Sequence, residues 1–161
     1  MKRILLMSDT HGINEAKIEE ILKINDYDLA VHCGDYCTEI EWMKKHFDYF
    51  VNGNNDYYGS KELNEIHFKF NGLNFIVNHG HMFYDFSYET WLNNLHEHLI
   101  RFNGDILLFG HSHIYTEKKF NDDKCVFNPG SLFLPRDGFK SYMIIKIDNK
   151  KKISCLRKII R

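Results

Sequence analysis

The chain opens on an apolar run, Ile4 to Met7, that stops abruptly at Ser8-Asp9-Thr10-His11, and this pattern of a greasy run ending in polar residues recurs along its length. Arg3 to Met7 reads as a continuous apolar strand of the kind buried on both faces. Asn14 to Asn25 places Ile18, Ile21 and Leu22 at three- and four-residue spacing and predicts a helix. Leu29 to Cys33 is a second apolar strand ending at Gly34-Asp35. Thr38 to His46 reads as a helix, and "DYFVNGNND" as a short third strand ending at Gly53. After this βαβαβ opening the pattern becomes alternating. "IHFKFNGLNFIVNHGH" alternates around Asn71-Gly72, the strongest short-range signal of a hairpin. Residues 87 to 102 predict a helix with Trp91, Leu92, Leu95 and Leu99 on one side, and "DILLFGHSH" predicts a strand. β-like runs follow at 114–120, 125–128 and 142–147, then a turn at 148–151 and a last strand at 152–159. The second part is expected to be largely antiparallel with one helix. Two packed sheets flanked by helices would accommodate the whole.

The ends of the apolar runs carry the chemistry. The first ends in Asp9-Thr10-His11, the second in Gly34-Asp35 and the third in Gly53-Asn54-Asn55-Asp56. The second hairpin strand ends in His79-Gly80-His81, and the strand after the long helix in Gly110-His111-Ser112-His113. In open α/β sheets ligands bind beyond the carboxyl ends of strands, so these five ends are expected to converge on one cleft. Asp, Asn and His without cysteine suit Mn²⁺, Fe, Ni²⁺, Zn²⁺ or Co²⁺ better than Ca²⁺ or a structural zinc. Spacing of two, as in Asp9/His11 and His111/His113, puts both side chains on the same side of an extended segment. A set this rich can serve two ions about 3.5–4 Å apart, an arrangement suited to hydrolysis of phosphoryl esters.

Composition narrows the field. With 161 residues, 43% of them hydrophobic, the chain fits one domain, residues 1–161, around a sizeable core. A net charge of -1 with no basic patch makes long nucleic acid a poor partner and favours a small phosphoester substrate. No apolar run approaches the roughly 20 residues of a membrane span. The amino-terminal run turns polar at Ser8, too soon for the apolar segment of about 7–15 residues in a secretory signal. The expectation is a cytoplasmic protein with no membrane partner, its four cysteines (Cys33, Cys37, Cys125 and Cys155) kept as thiols.

Taken in order, "SDTHG", "HCGD", "VNGNND", "VNHGH" and "FGHSH" resemble the motifs of the calcineurin-like metallophosphoesterase superfamily over nearly the whole chain. The tail "FNPGSLFLPRDG" and the small size are similar to its YfcE-type phosphodiesterases. The resemblance implies an α/β fold, a four-layer αββα sandwich of two mixed β-sheets flanked by helices, the metallo-dependent phosphatase fold. It implies that Asp9, His11 and His113 hold one divalent ion, that Asn54, His79 and His111 hold another, and that Asp35 bridges them. The implied ions are Mn²⁺ first, then Ni²⁺, Fe, Zn²⁺, Co²⁺ or Mg²⁺. The implied activity is hydrolysis of a phosphoric diester by a hydroxide bridging the two ions.

Asn55 stands where better-studied members carry a histidine that contacts phosphate. A hydrogen bond from Asn55 to the substrate is expected, and the general acid falls to Asp56, His81 or water. Arg136 either meets the substrate phosphate or, as favoured here, pairs with a nearby acid. Tyr36 and Cys37 are read as structural first and cleft-lining second, residues 128–131 as a tight turn first and a site wall second, and His32, His46, His67, His96 and His98 as surface or packing residues. The aromatic cluster Phe83, Tyr84, Phe86 and Tyr88 is the best candidate for substrate selection or for self-association into a homo-oligomer. The rival readings are a phosphomonoesterase or nucleotide phosphatase at the same site, a nuclease, and a non-catalytic protein scaffold like the related retromer subunit.

Overall fold

β1 (Lys2–Met7) is apolar without alternation because both of its faces are covered. Ile4 and Leu6 point into a core shared between two sheets, whereas Leu5 and Met7 point the other way, beneath helices. The structure is a computed structural model and describes residues 1–56 and 63–161. After β1 come α1 (Glu15–Ile24), β2 (Leu29–His32), α2 (Ile40–His46) and β3 (Tyr49–Phe50). Next are the hairpin β4 (Glu65–Phe70) and β5 (Leu73–Asn78), then α3 (Tyr88–Arg101), β6 (Ile106–Leu108), β7 (Tyr115–Lys119), β8 (Cys125–Pro129), β9 (Ser141–Ile147) and β10 (Ile153–Ile159).

The strands form two five-stranded mixed sheets, ordered β10-β9-β1-β2-β3 and β4-β5-β6-β8-β7. Between them lies a core that includes Ile4, Leu6, Val31, Phe75, Val77, Ile106, Leu108, Phe127 and Ile145. α1 and α2 cover the outer face of the first sheet through Ile18, Ile21, Leu22 and Met43. α3 covers the outer face of the second through Trp91, Leu92, Leu95 and Leu99. Each such side chain taken fully out of water contributes about 1.5–3 kcal/mol. The helices start where short polar side chains cap them: Asn14 accepts from the Lys17 amide and Ser87 from the Thr90 amide. No helix among the described residues is long and apolar enough to cross a membrane.

The second part is largely antiparallel, as expected, through β4–β5, β7–β8, β9–β10 and the pairing of β9 with β1. Two pairings depart from that pattern: β5 pairs parallel with β6, and β6 with β8. Among the described residues, only the hairpin β4–β5 and the edge pair β7–β8 are antiparallel in that sheet. α3 is the reason, since it carries the chain back along the sheet as a crossover between parallel strands. β3 is also shorter than its pattern suggested, because Val51 and the residues after it leave the sheet to build the site.

The parallel arrangement positions the site. β1, β2 and β3 run together in one sheet, and β5, β6 and β8 run together in the other. Their carboxyl ends meet along one edge of the sandwich.

Candidate metal centre

Asp9 lies in the bend that follows β1 and is fully buried. Its Oδ2 accepts from the Ser8 hydroxyl at 2.6 Å and from the His111 amide at 3.0 Å. Its Oδ1 is buried with no hydrogen-bond partner and lies 3.2 Å from His113 Nε2, 3.7 Å from His79 Nε2 and 3.9 Å from His11 Nε2. Asp35, beyond β2, accepts at Oδ1 from the Asn55 amide and at Oδ2 from the Asn55 side chain. The same Oδ2 is 3.4 Å from His79 Nε2 and 3.7 Å from His11 Nε2. Potential ligand atoms of Asp9, His11 and His113 lie within 4.8 Å of one another, and so do those of Asp35, His79 and His111. Asn54 joins the second group, its Oδ1 3.0 Å from His111 Nδ1. The structure therefore brings together Asp9, His11, Asp35, Asn54, His79, His111 and His113.

The donor set fits a pair of divalent cations. His79 donates from Nδ1 to the Cys33 carbonyl at 2.7 Å, and His113 from Nδ1 to the Leu134 carbonyl at 2.6 Å. Those bonds fix the tautomer and leave each Nε2 lone pair facing the carboxylates, the usual support for a metal-binding histidine. His79 Nε2 is buried without a partner, as is Asp9 Oδ1. A buried carboxylate oxygen and a buried imidazole nitrogen facing each other unpaired are unfavourable until a cation lies between them.

Protonation shows the same tension. Burial pushes the Asp9 and Asp35 carboxyls up. The facing imidazoles of His113 and His79, with the Ser8 hydroxyl at Asp9 and the Asn55 bonds at Asp35, together outweigh this, so both acids are held below the usual range. Burial opposes a proton on His79 and His113, but the nearby Asp9 and Asp35 carboxylates and the bonds to the Cys33 and Leu134 carbonyls together outweigh it, and both rings are held above their ordinary range. His111 is pushed down to about 4 by burial and by neighbouring His79, so its ring is neutral near pH 7. The pair of imidazoles and the pair of carboxylates thus partly neutralise one another, and binding of a metal displaces protons.

The spacing-of-two pairs do not lie on extended segments. Asp9, His11, Asp35, His111 and His113 all adopt left-handed backbone, with φ between 51° and 67°. Asp9 and His11 still converge on one group, while His111 and His113 separate onto the two groups. Ser112 between them is buried and turned away, bonded by the Asn128 amide at 2.9 Å.

The other expected residues divide. Asp56 accepts at Oδ2 from the amides of Asp35 and Gly53, and at Oδ1 from that of Cys37. It is a strut between two ligand loops, held by three backbone amides. His81 borders the second group, its ring centroid 5.5 Å from that of His79. Arg136 is exposed and forms no ion pair among the described residues; Asp137 pairs with Arg157 instead. The pairing favoured for Arg136 is therefore corrected: its backbone amide bonds the His113 carbonyl, which leaves the guanidinium in solvent beside the site. Cys37 is exposed and near His11, but burial of its sulfur and the Asp56 charge push the thiol up to about 12. His46, His67, His96 and His98 each pair with an acid. The aromatic cluster is not one surface, since Phe83 and Tyr88 pack on the α3 core while Phe86 is exposed.

One supporting residue, His32, escaped the sequence reading, and two more, Asn128 and Ser131, were read as a tight turn first and a site wall second. His32 is buried, accepts at Nδ1 from the Gly34 amide and bonds Thr10 Oγ1 at 2.9 Å through Nε2. Asn128 donates to the Gly110 carbonyl and to Ser112, and Ser131 donates to the Asp9 carbonyl at 2.7 Å. The available signal was small polar residues within an apolar run, in "CVFNPGS".

Two cavities open on the centre. One of about 670 Å³ is lined by His11, Tyr36, Cys37 and Asn55 with Glu15 and Glu39 on its rim; another of about 270 Å³ is lined by His79, His81, Asn78 and Glu65.

Two mixed sheets between helices, with paired Asp/His groups at their shared edge, define a metallo-dependent phosphatase type of domain. The chain belongs to the calcineurin-like phosphoesterase superfamily, whose domain model matches residues 1–150. It is 36% identical over 138 residues to the probable metallophosphoesterase MG207 of Mycoplasma genitalium, covering 85% of this chain and 81% of that one. Among solved structures, a predicted phosphoesterase from Streptococcus pneumoniae superposes with a TM-score of 0.78 at 21% identity, covering 98% of both chains. Vps29 of Entamoeba histolytica complexed with zinc superposes with a TM-score of 0.72 at 18% identity, again covering 98% of both chains. At those identities the two structures speak to the fold alone.

Proposed function

We propose that the protein is a metal-dependent phosphodiesterase of the YfcE-type branch that cleaves small phosphodiesters. The observation that carries this reading is the pair of Asp/His groups facing shared carboxylates, with Asp9 Oδ1 and His79 Nε2 buried and unpaired between them. Asp9, His11 and His113 would hold one ion, and Asn54, His79 and His111 the other. Asp35 would be common to both, since its Oδ2 lies within 3.7 Å of His11 and 3.4 Å of His79. Mixed carboxylate, amide and imidazole donors favour Mn²⁺ in our reading. Bound divalent ions would supply Lewis acidity and water activation near neutral pH.

The chain's own residues do the rest. Asp9 and Asp35 concentrate negative charge, and Asn54, being neutral, keeps that charge low enough for an anion to enter. Asn55, now bonded to Asp35 at the mouth of the larger cavity, is placed to donate to a phosphate oxygen. Arg136, which pairs with no acid among the described residues, adds a cation near His113. Neither Asp56, held by three backbone amides, nor His81, which burial and then His79 push below its ordinary range, is set to deliver a proton. An alcohol that leaves readily without protonation is therefore the better substrate. Two cavities, one beside each ligand group, suit a phosphate carrying two organic groups better than one carrying a single group.

The test is Mn²⁺-dependent hydrolysis of bis(p-nitrophenyl) phosphate beside p-nitrophenyl phosphate. The diester should be the faster substrate, and Asp35→Asn should lower its rate by at least about a hundredfold. Near-wild-type hydrolysis by Asp35→Asn, with metal content measured, contradicts the shared-carboxylate centre; a faster monoester makes the enzyme a phosphomonoesterase.

A further inference from the structure

The smaller cavity leads from His79 and His81 to Asn78 and Glu65 on the hairpin edge of the second sheet. Asn78 is only 4% exposed. Its Nδ2 donates to Glu65 Oε2 at 3.2 Å, which settles which way the amide faces. Glu65 is itself held by His67 at 2.6 Å and His98 at 2.8 Å, so this anchor is fixed from behind. The consequence falls on the other end of the amide: Asn78 Oδ1 is buried and has no hydrogen-bond partner. His81 Nδ1, on the same cavity, is also buried and unpartnered. An amide oxygen held out of water with no donor is unfavourable, and such atoms in a native fold call for a partner. Asn78 is among the residues lining a cavity that opens beside a metal-ligating group, and its bond to Glu65 keeps the amide from turning over.

We infer that this cavity receives the second organic group of the phosphodiester, and that Asn78 Oδ1 selects a group bearing an O–H or N–H donor. This rests on the phosphodiesterase reading above and narrows it to esters of hydroxylated or amino alcohols. A site built around a hydrogen bond rejects the analogue that lacks it far more strongly than an apolar pocket rejects an extra hydroxyl. Asn78 touches no reacting atom, so its effect belongs to recognition.

Three p-nitrophenyl phosphodiesters test it, differing only in the second ester group: n-butyl, 3-hydroxypropyl and 3-aminopropyl. Each replaces the terminal methyl of the first by a donor of similar size. With Mn²⁺, kcat/KM for the hydroxypropyl or the aminopropyl ester should exceed that for the butyl ester by at least about tenfold. The better of the two identifies the alcohol class. In Asn78→Leu that ratio should collapse toward one. If Asn78→Leu does not fold, the wild-type ratio decides alone. A butyl ester cleaved as well as both others overturns the selection by Asn78 while leaving the phosphodiesterase standing, and means that the cavity holds only solvent. Failure to cleave any of the three overturns the phosphodiesterase reading and this inference with it.

Discussion

Asp9, His11, Asp35, His111 and His113 each take a backbone conformation that costs a non-glycine residue about 1–3 kcal/mol. That conformation reverses the chain directly after a strand and turns the side chain back over the sheet edge. Asp and His tolerate it better than most residues. The residue types at these positions were therefore legible from the sequence, but the geometry was not. Tolerance is not compulsion, and "DTH" and "HSH" read equally well as extended pairs. Glycine supplies what the ligands cannot. A Cβ on Gly110 would sit 2.0 Å from Ser8 Oγ and 2.6 Å from Asp9 Oδ2, and Ser8 is pinned by its own bond to Asp9. Gly110→Ala should lower stability by about 1–3 kcal/mol by overpacking. It should also weaken Mn²⁺ binding by displacing Asp9. Isothermal titration with Mn²⁺ checks it, and unchanged affinity would show that Asp9 does not need this close approach.

Strands and loops locate the site, and here the sequence was half informative. Five strand ends could be picked out because each stops at Asp, Asn or His beside a glycine or a turn. The sixth, β8, was read as leading into a tight turn first and a site wall only second, because its apolar run carries no orientation. Only the crossover made by α3 and the parallel pairing of β6 with β8 bring Asn128 and Ser131 to the ligand loops. His32 was passed over for the opposite reason, since a histidine within an apolar strand looks like packing. It joins the end of β2 to the loop after β1. Burial pushes His32 down to about 3, against about 6.5 in an open chain. Between those pH values the unfolded chain takes up a proton that the folded chain refuses. The contribution is whole above about pH 6.5 and drains away as pH falls toward 3. From pH 7.5 to 5.5 this one group should remove about 1.4 kcal/mol of stability. Urea unfolding of metal-free protein at both pH values should show His32→Gln losing less than wild type by about that amount. Equal losses would mean that His32 is protonated in the fold.

At the scale of the whole molecule, two separate sheets each supply part of one centre. The first brings Asp9, His11, Asp35 and Asn54; the second brings His79, His111 and His113. Neither sheet holds a complete ligand group, so the core between them sets the ligand distances. The overall α/β class and the two-sheet packing were legible from periodicity and from the motif order. Which strand lies beside which was not, because sheet order depends on crossovers that local patterns do not encode. The same dependence makes the two proposed ion sites separable. His113 belongs with Asp9 and His11, and His111 with Asp35, Asn54 and His79, although the two histidines are one residue apart. The most direct test is the number of Mn²⁺ ions bound per chain, measured by equilibrium dialysis and elemental analysis. Two should bind to wild type, and one each to His111→Ala and His113→Ala. A wild-type protein that binds one ion or none, or variants that both keep two, would contradict the paired centre.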